Sequence, residues 1–380
     1  MRGRDFIVVS GVPFGDRWTS KQEIARILAR EGRVLYVESV PKLWDVGALR
    51  HPFGRLWSHS DNLYVYTPPP LRVPLDFMST SYNRLLQGTV AKRVRAEADR
   101  LGFKAPAVWL IDIRTSPYRE VFPEAKVIYH CVDRWADLLV DPHCRKEVVL
   151  ALERETVGNA DIGTTSARDL QTHILESTDR EAEYLPHGVD FNLFRKSAEP
   201  GPLHPSLQDV QGRVLGFAGT IGHWVDVALL DRLAKERPDY TLGLLGEIAP
   251  SDLAAVERIC EHPNVSRLPP VPKRALPELL RRFDVCLIPF LVNDFTDSIN
   301  PLKLLEYLCS GKPIVTTNIR EAGPFSDLAY VADSPDAFLD LVDVACDEDN
   351  VDIRQRRMDT ASQHTWEARV ELAMDLLGRD

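Results

Sequence analysis

No stretch of this 380-residue chain approaches the roughly 18–20 consecutive apolar residues that a bilayer-crossing helix requires. The apolar run at residues 6–10, Phe-Ile-Val-Val-Ser, is too short for the core of a secretory leader and has no cleavage site after it. It reads as a first β-strand. Cysteine is sparse. Cys131, Cys144, Cys260, Cys286, Cys309 and Cys346 are scattered, with no C-x-x-C pair and no histidine at zinc spacing. Several lie in apolar runs, where a thiol behaves as a small hydrophobe, so neither a disulfide scaffold nor a zinc module is expected and a reducing cytoplasm is. The motifs G-x-x-x-x-G-K-[ST], H-E-x-x-H and G-x-S-x-G are missing as well. The segment Gly11-Val-Pro-Phe-Gly15, which continues to Glu23, lacks the G-x-G-x-x-G spacing, which counts against NAD and FAD. No solenoid-period repeat or low-complexity tract is present.

Positive charge in excess is also absent. The formal net charge is −10, which argues against broad nucleic-acid binding. Residues 1–195 are close to balanced, and the negative excess falls beyond them. One local cluster runs the other way: Arg84, Lys92, Arg93, Arg95 and Arg100 lie on a long helix expected near 81–101. Such a run forms either a solvated face or a contact with anionic lipid headgroups.

What is present is alternation. At 44% hydrophobic and 27% charged residues, the composition is that of a soluble globular chain, and the length suits two domains. Apolar, β-branched runs at 6–10, 34–38, 63–67, 107–112, 126–133, 161–165 and 182–186 are separated by helical patterns at 20–30, 81–101, 145–158 and 167–176. Continuous apolar strands divided by helices imply a parallel sheet covered on both faces. Residues 196–205 then carry three prolines and a glycine, the texture of a linker. Alternation resumes with strands at 213–219, 241–246, 265–268, 285–289, 313–317 and 329–332 and helices at 225–236, 251–262 and 277–283. The expected organisation is α/β: two Rossmann-like, doubly wound domains at 1–195 and 213–361, a hinge at 196–212, and a closing helix at 362–380. That helix, led by Trp366, packs either on its own domain or back across both.

Parallel sheets bind ligands at the carboxyl ends of their strands. Asp112 and Asp133 each end a first-domain strand, as general bases or as turn and cap residues; partial burial would raise the basicity of Asp133. His130 reads as a packed strand residue. In the second half, Gly219-Thr-Ile-Gly222 follows a strand and precedes a helix, either a bare-backbone phosphate approach or a tight connection, and Gly246 is a similar opening. Asp190, in Pro186-His-Gly-Val-Asp190, is placed to cap a short helix, with His187 at most a supporting residue.

The richest stretch is Ser298-Ile-Asn-Pro-Leu-Lys-Leu-Leu-Glu-Tyr-Leu-Cys-Ser-Gly-Lys-Pro-Ile-Val-Thr-Thr317. Asn300 reads as an N-cap, Pro301 as the first helical residue, and Ile299, Leu302, Leu305 and Leu308 as an inward face, with Gly311 as the stop. Lys303 and Glu306, three apart, lie on one side near a helix N-terminus that attracts anions. They form either a surface salt bridge or a diphosphate seat with a carboxylate for sugar hydroxyls.

Together these motifs resemble the GT-B glycosyltransferases, in particular the bacterial polysaccharide branch of the family-four-like enzymes. Pro186-His-Gly-Val-Asp190-x-x-x-Phe194 resembles that branch's interdomain Pro-Asn-Gly-Val-Asp signature, and residues 300–315 resemble its donor-site helix. Gly216-Phe-Ala-Gly219-Thr-Ile-Gly222 and Val127-Ile-Tyr-His-Cys-Val-Asp133 are similar to a teichuronic-acid and exopolysaccharide subgroup. The resemblance implies two domains facing a cleft and transfer from a nucleotide-diphosphate sugar, UDP favoured, to a glycan or lipid-linked acceptor. It implies donor contacts at Gly219, Gly222, Gly246, Asn300, Pro301, Leu302, Lys303 and Glu306: Lys303 at the diphosphate and Glu306 at the ribose. Asp133, then Asp112, would activate the acceptor, with no cofactor and no obligatory metal. A cytoplasmic protein is implied, with peripheral membrane contact through Arg84, Lys92, Arg93 and Arg95. Two departures stand out. The family's first glutamate is replaced by Ser298, and its Arg/Lys pair after the glycine turn by His223 and Trp224. A sugar-nucleotide epimerase and a non-catalytic partner subunit are the alternatives.

Overall fold

In the computed structural model, residues 3–15, 18–73, 75–138, 144–208, 210–348 and 350–379 are described. Asp16 and Arg17 of the loop after the first strand, Asp209 of the 196–212 stretch, and the extreme chain ends lie outside them. The chain divides into two compact units, Met1–Pro186 with Arg369–Asp380, and His187–Ala368.

The first unit is an eight-stranded sheet. Its strands are β1 (Phe6–Val9), β2 (Val34–Val37), β3 (Arg55–Ser60), β4 (Leu63–Thr67), β5 (Ala107–Leu110), β6 (Val127–Cys131), β7 (Ile162–Thr165) and β8 (Glu183–Tyr184). The order is β3-β4-β2-β1-β5-β6-β7-β8, parallel throughout except for β3, which runs antiparallel to β4. β1, β2, β5 and β6 are buried along their whole length, as expected of strands covered on both faces. β3 is the strand that apolar periodicity misses: Arg-Leu-Trp-Ser-His-Ser is largely exposed and joins the sheet only at its edge. The helix Ser20–Glu31 opens with a capping box, the Thr19 hydroxyl and Gln22 carboxamide each satisfying the other's backbone N–H.

The second unit is a six-stranded, wholly parallel sheet. It comprises β9 (Val214–Ala218), β10 (Thr241–Leu245), β11 (Val265–Leu268), β12 (Val285–Ile288), β13 (Ile314–Thr317) and β14 (Tyr330–Ala332), in the order β11-β10-β9-β12-β13-β14. Sequence order reverses beside β1 in the first sheet and beside β9 in the second. Those are the points where an open α/β sheet leaves a crevice at its carboxyl edge.

The proline-rich stretch is fastened to the second unit. The Arg281 guanidinium donates to the carbonyls of Lys196 (2.7 Å), Glu199 (2.8 Å) and Pro202. Asp190 caps Phe191–Phe194, its carboxylate accepting from Leu193 N at 3.0 Å. The expected closing helix is Trp366–Gly378, and a further helix, Val351–Gln363, precedes it. They part at His364, whose carbonyl accepts from Val189 N (2.9 Å), and at Thr365, which bridges Val189. The helices Pro335–Cys346 and Val351–Gln363 were not anticipated. Among the described residues no helix is long and apolar enough to cross a membrane.

Candidate active site

The N-terminus of the Leu302–Ser310 helix lies in the second unit, downstream of β12. The helix starts one residue later than an Asn300 cap would place it. Pro301 occupies the cap position and provides no side-chain hydrogen bond, while the Asn300 amide donates to Glu321 Oε2 (3.1 Å). The physical reason is local: Pro301 adopts extended geometry (ψ 105°), which carries the Asn300 side chain past the first turn. Leu304 N donates to Pro301 O (3.0 Å). With no side-chain cap, the first-turn amides are oriented as a helix N-terminus presents them to an anion. Gly311, at φ +69°, closes the other end as expected.

Lys303 projects from that first turn across the mouth of β9. A Cβ on Gly219 would run into its Cε and Nζ, so glycine there is what gives the ammonium its place. The Lys303 Nζ is also 5.9 Å from the centre of the Phe217 ring. Gly246, at φ +135°, ends β10 with a conformation few other residues adopt, and a Cβ there would strike the Gly219 carbonyl. The two loops are stitched together: Gly219 N donates to Leu245 O (2.7 Å) and Ile221 N to Glu247 O (2.8 Å). Two glycine backbones and a lysine thus converge on one spot at the carboxyl edge of the sheet. Gly222 is packed beneath the Trp224 ring, and Trp224 O accepts from Leu291 N (2.9 Å), so this glycine serves the wall of the loop.

Glu306 lies one turn further along the helix. Burial pushes its carboxyl above the usual carboxylate range, opposed by the nearby cations Lys303 and Lys273. Lys273, in the turn Lys273–Ala275, escaped sequence reading because nothing local ties it to the helix; its Nζ is 6.0 Å from the Phe194 ring centre. Tyr307 was missed too. It is fully buried, and its hydroxyl accepts from Ala218 N at 2.9 Å, anchoring the helix to the end of β9. Ser298, where the family's first glutamate would stand, is buried, and its hydroxyl donates to Phe295 O (2.6 Å). His223 stacks loosely on Phe295, with ring centres 4.9 Å apart.

In the first unit, the two candidate bases part company. Asp112, just beyond β5, is buried and grasped by Arg114, whose Nε approaches the two carboxylate oxygens at 2.9 and 3.1 Å while Nη1 pairs with Asp76. Burial alone would raise its pKa, but the Arg114 guanidinium outweighs it and holds the carboxyl below the usual range. A strongly ionised, bidentate-paired carboxylate has little proton affinity. Asp112 therefore does not fit the role of base that its position suggested; it anchors a buried ionic cluster with Arg114 and Asp76.

Asp133, beyond β6, is the opposite case. It is partly buried, and burial raises its pKa to about 6, with Lys21 pulling the other way. Lys21, in the first turn of the helix after β1, has its own pKa lowered by burial and faces both Asp133 and Asp112 electrostatically. Sequence reading passed over Lys21 because the loop before it matched no phosphate fingerprint; its place in the first turn after a switch-point strand was the available signal. His130 is buried in β6 with Nδ1 2.9 Å from the Thr164 hydroxyl, the packed residue expected. Of the cationic run on the helix Thr80–Arg100, three members are already ion-paired: Arg84 with Glu155 (2.8 Å), Arg95 with Glu124 (2.6 Å), and Arg100 with Glu97 (2.8 Å). Among the described residues no cluster of His, Cys, Asp or Glu has the form of a metal site.

Two parallel α/β units with switch-point crevices define the GT-B glycosyltransferase fold, and solved structures bear this out over the full chain. The Escherichia coli trehalose-6-phosphate protein solved with UDP-2-fluoro glucose superimposes with a TM-score of 0.73, covering 99% of both chains at 12% identity. Sucrose-phosphate synthase from Thermosynechococcus elongatus gives 0.74, covering 98% of both at 13% identity. Residues 212–344 match the family model described as Glycosyl transferases group 1. The curated relative TuaH of Bacillus subtilis (strain 168), named for glycosyl transfer in teichuronic acid biosynthesis, is 28% identical over 204 residues. That match spans 51% of this chain and 51% of TuaH, about half the length of the relative.

Proposed function

We propose that the chain is a glycosyltransferase that moves a sugar from a nucleoside-diphosphate sugar, a UDP-sugar favoured, to a glycan or lipid-linked acceptor in polysaccharide synthesis. The observation that carries this is the meeting of Lys303 with the bare backbone of Gly219 and Gly246 at an uncapped helix N-terminus. A leaving nucleoside diphosphate develops negative charge on its β-phosphate. An ammonium and aligned amides, fixed before reaction, stabilise that charge without reorganising. Glu306 would accept hydrogen bonds from the ribose hydroxyls, with Lys303 and Lys273 opposing the rise that burial imposes on its carboxyl. On the acceptor side, Asp133 takes the proton from the attacking hydroxyl. A base with pKa about 6 is ionised at neutral pH yet retains proton affinity. The names of TuaH and of the UDP-sugar-bound fold relative support the donor class and the polysaccharide setting. A cytoplasmic protein docked at the membrane face suits a lipid-linked acceptor.

The test is incubation with a panel of UDP-sugars, with and without glycan and lipid-linked acceptors, following UDP release. UDP release that depends on acceptor supports the reading. Conversion of the donor to a stereoisomer with no acceptor present would replace it with an epimerase, and no binding of any UDP-sugar would remove catalysis altogether.

A further inference from the structure

Five large apolar side chains are displayed to solvent within eleven residues of the β2–β3 connection. Leu43, Trp44, Val46, Leu49 and Phe53 are 50%, 55%, 75%, 50% and 80% exposed. Isolated exposed hydrophobics need no explanation, but a run this dense marks an interaction site. The connection has defined structure. Leu43 N donates to Arg72 O (2.9 Å) and Arg72 N to Pro41 O (3.1 Å), which fixes one end to the segment after β4. At the other end Arg93, on the Thr80–Arg100 helix, donates to Phe53 O (3.3 Å). Inside, the Asp45 carboxylate accepts from Gly47 N (3.0 Å) and Ala48 N (3.3 Å), shaping the turn Ala48–Arg50. The apolar residues are therefore held outward on a tethered scaffold.

We propose that this connection is a membrane-docking surface that inserts Trp44, Val46 and Phe53 at the headgroup boundary of an anionic phospholipid bilayer. Charge complementarity selects that occupant. Lys42, Arg50 and Arg55 are exposed in or beside the same connection, and Arg93 is drawn to it by Phe53, whereas Asp45 turns its carboxylate onto backbone amides. Aromatic and aliphatic tips ringed by lysine and arginine match an interface of acyl chains beneath phosphate headgroups. The surface shares Arg93 with the one expected at Arg84, Lys92, Arg93 and Arg95 but is centred on the β2–β3 connection, and the cations of Arg84 and Arg95 are occupied by Glu155 and Glu124. The inference extends the membrane setting of the proposed function but requires no donor or acceptor, so the two fail separately.

Sedimentation with sucrose-loaded vesicles tests it. Wild-type protein should bind vesicles of equal parts phosphatidylglycerol and phosphatidylcholine, bind pure phosphatidylcholine weakly, and release at high salt. The double substitution Trp44→Ser and Phe53→Ser should weaken binding by about 10- to 100-fold. Arg50→Gln with Arg55→Gln should weaken it by about fivefold per charge. Both variants should melt like wild type, because the altered side chains are exposed, and should keep transfer to a soluble acceptor. Three results would overturn the proposal: no binding to the anionic vesicles, equal binding by the Trp44/Phe53 variant, or a wild-type dimer in light scattering that this variant converts to monomer. The last would assign the patch to a second copy of the chain.

Discussion

The two units have the same kind of switch point and furnish it in opposite ways. Beside β9 the sheet edge is stripped: glycines at 219 and 246, an uncapped helix, and one lysine laid across the opening. Beside β1 and β5 the edge is filled with compensated charge: Asp112, Arg114 and Asp76 in one buried cluster, and Lys21 facing Asp133. A crevice that must admit a diphosphate needs bare backbone and fixed positive charge. One that must deprotonate a hydroxyl needs a carboxylate whose proton affinity has been raised, and a scaffold that keeps its neighbours ionised. The proposed division of labour between a donor and an acceptor side rests on which charges are paired.

The sharpest way to break this contrast is to exchange the roles of the two aspartates. Asp133→Asn should lower kcat for glycosyl transfer by about 10²–10⁴-fold, leaving the donor KM close to wild type, as steady-state kinetics would reveal. Its stability at neutral pH should not fall, and should rise if anything. Burial raises the Asp133 pKa above its unfolded value, so the ionised form burdens the native state as pH climbs through about 6, and asparagine removes that burden. Asp112→Asn should do the reverse: a loss on the order of 3 kcal/mol in denaturant unfolding, because Arg114 stays buried without its bidentate partner. If Asp112→Asn instead folds normally and is the catalytically dead variant, the assignment of the two carboxylates is inverted.

On the donor side the expected effects are next in size. Lys303→Ala should cut kcat/KM for the donor by about 10²–10³-fold while the fold persists. Gly219→Ala acts through the same lysine: the new methyl displaces the ammonium, and UDP affinity should fall by roughly 10-fold or more in calorimetry. The smallest effect concerns tuning. Activity should rise with pH through about 6 as Asp133 ionises, and Lys21→Met should move that limb to higher pH, because removing the cation that favours the carboxylate leaves burial unopposed. An unmoved pH profile would separate Lys21 from the base.

Much of the fold was legible because parallel sheets announce themselves. The expected strands matched apolar runs such as Phe6–Val9 and Val285–Ile288 that are buried throughout. β3 was illegible for the same reason inverted: an edge strand needs no apolar face. The site divided along another line. Lys303, Gly219 and Glu306 belong to short motifs whose spacing singles them out as candidates in the sequence. Lys21, Lys273 and Tyr307 act across elements, and only folding brings them to Asp133, Glu306 and Ala218. Likewise, Asp112 and Asp133 look alike in sequence, each ending a strand; what separates them is an arginine two residues away in one case and a partly buried, lysine-facing setting in the other.

The most direct measurement is calorimetric titration of UDP into wild type, Lys303→Ala and Asp133→Asn side by side. The account predicts binding by wild type, a Kd at least about 10-fold weaker for Lys303→Ala, and a wild-type Kd for Asp133→Asn. Equal affinity in all three, or a loss confined to Asp133→Asn, would contradict it.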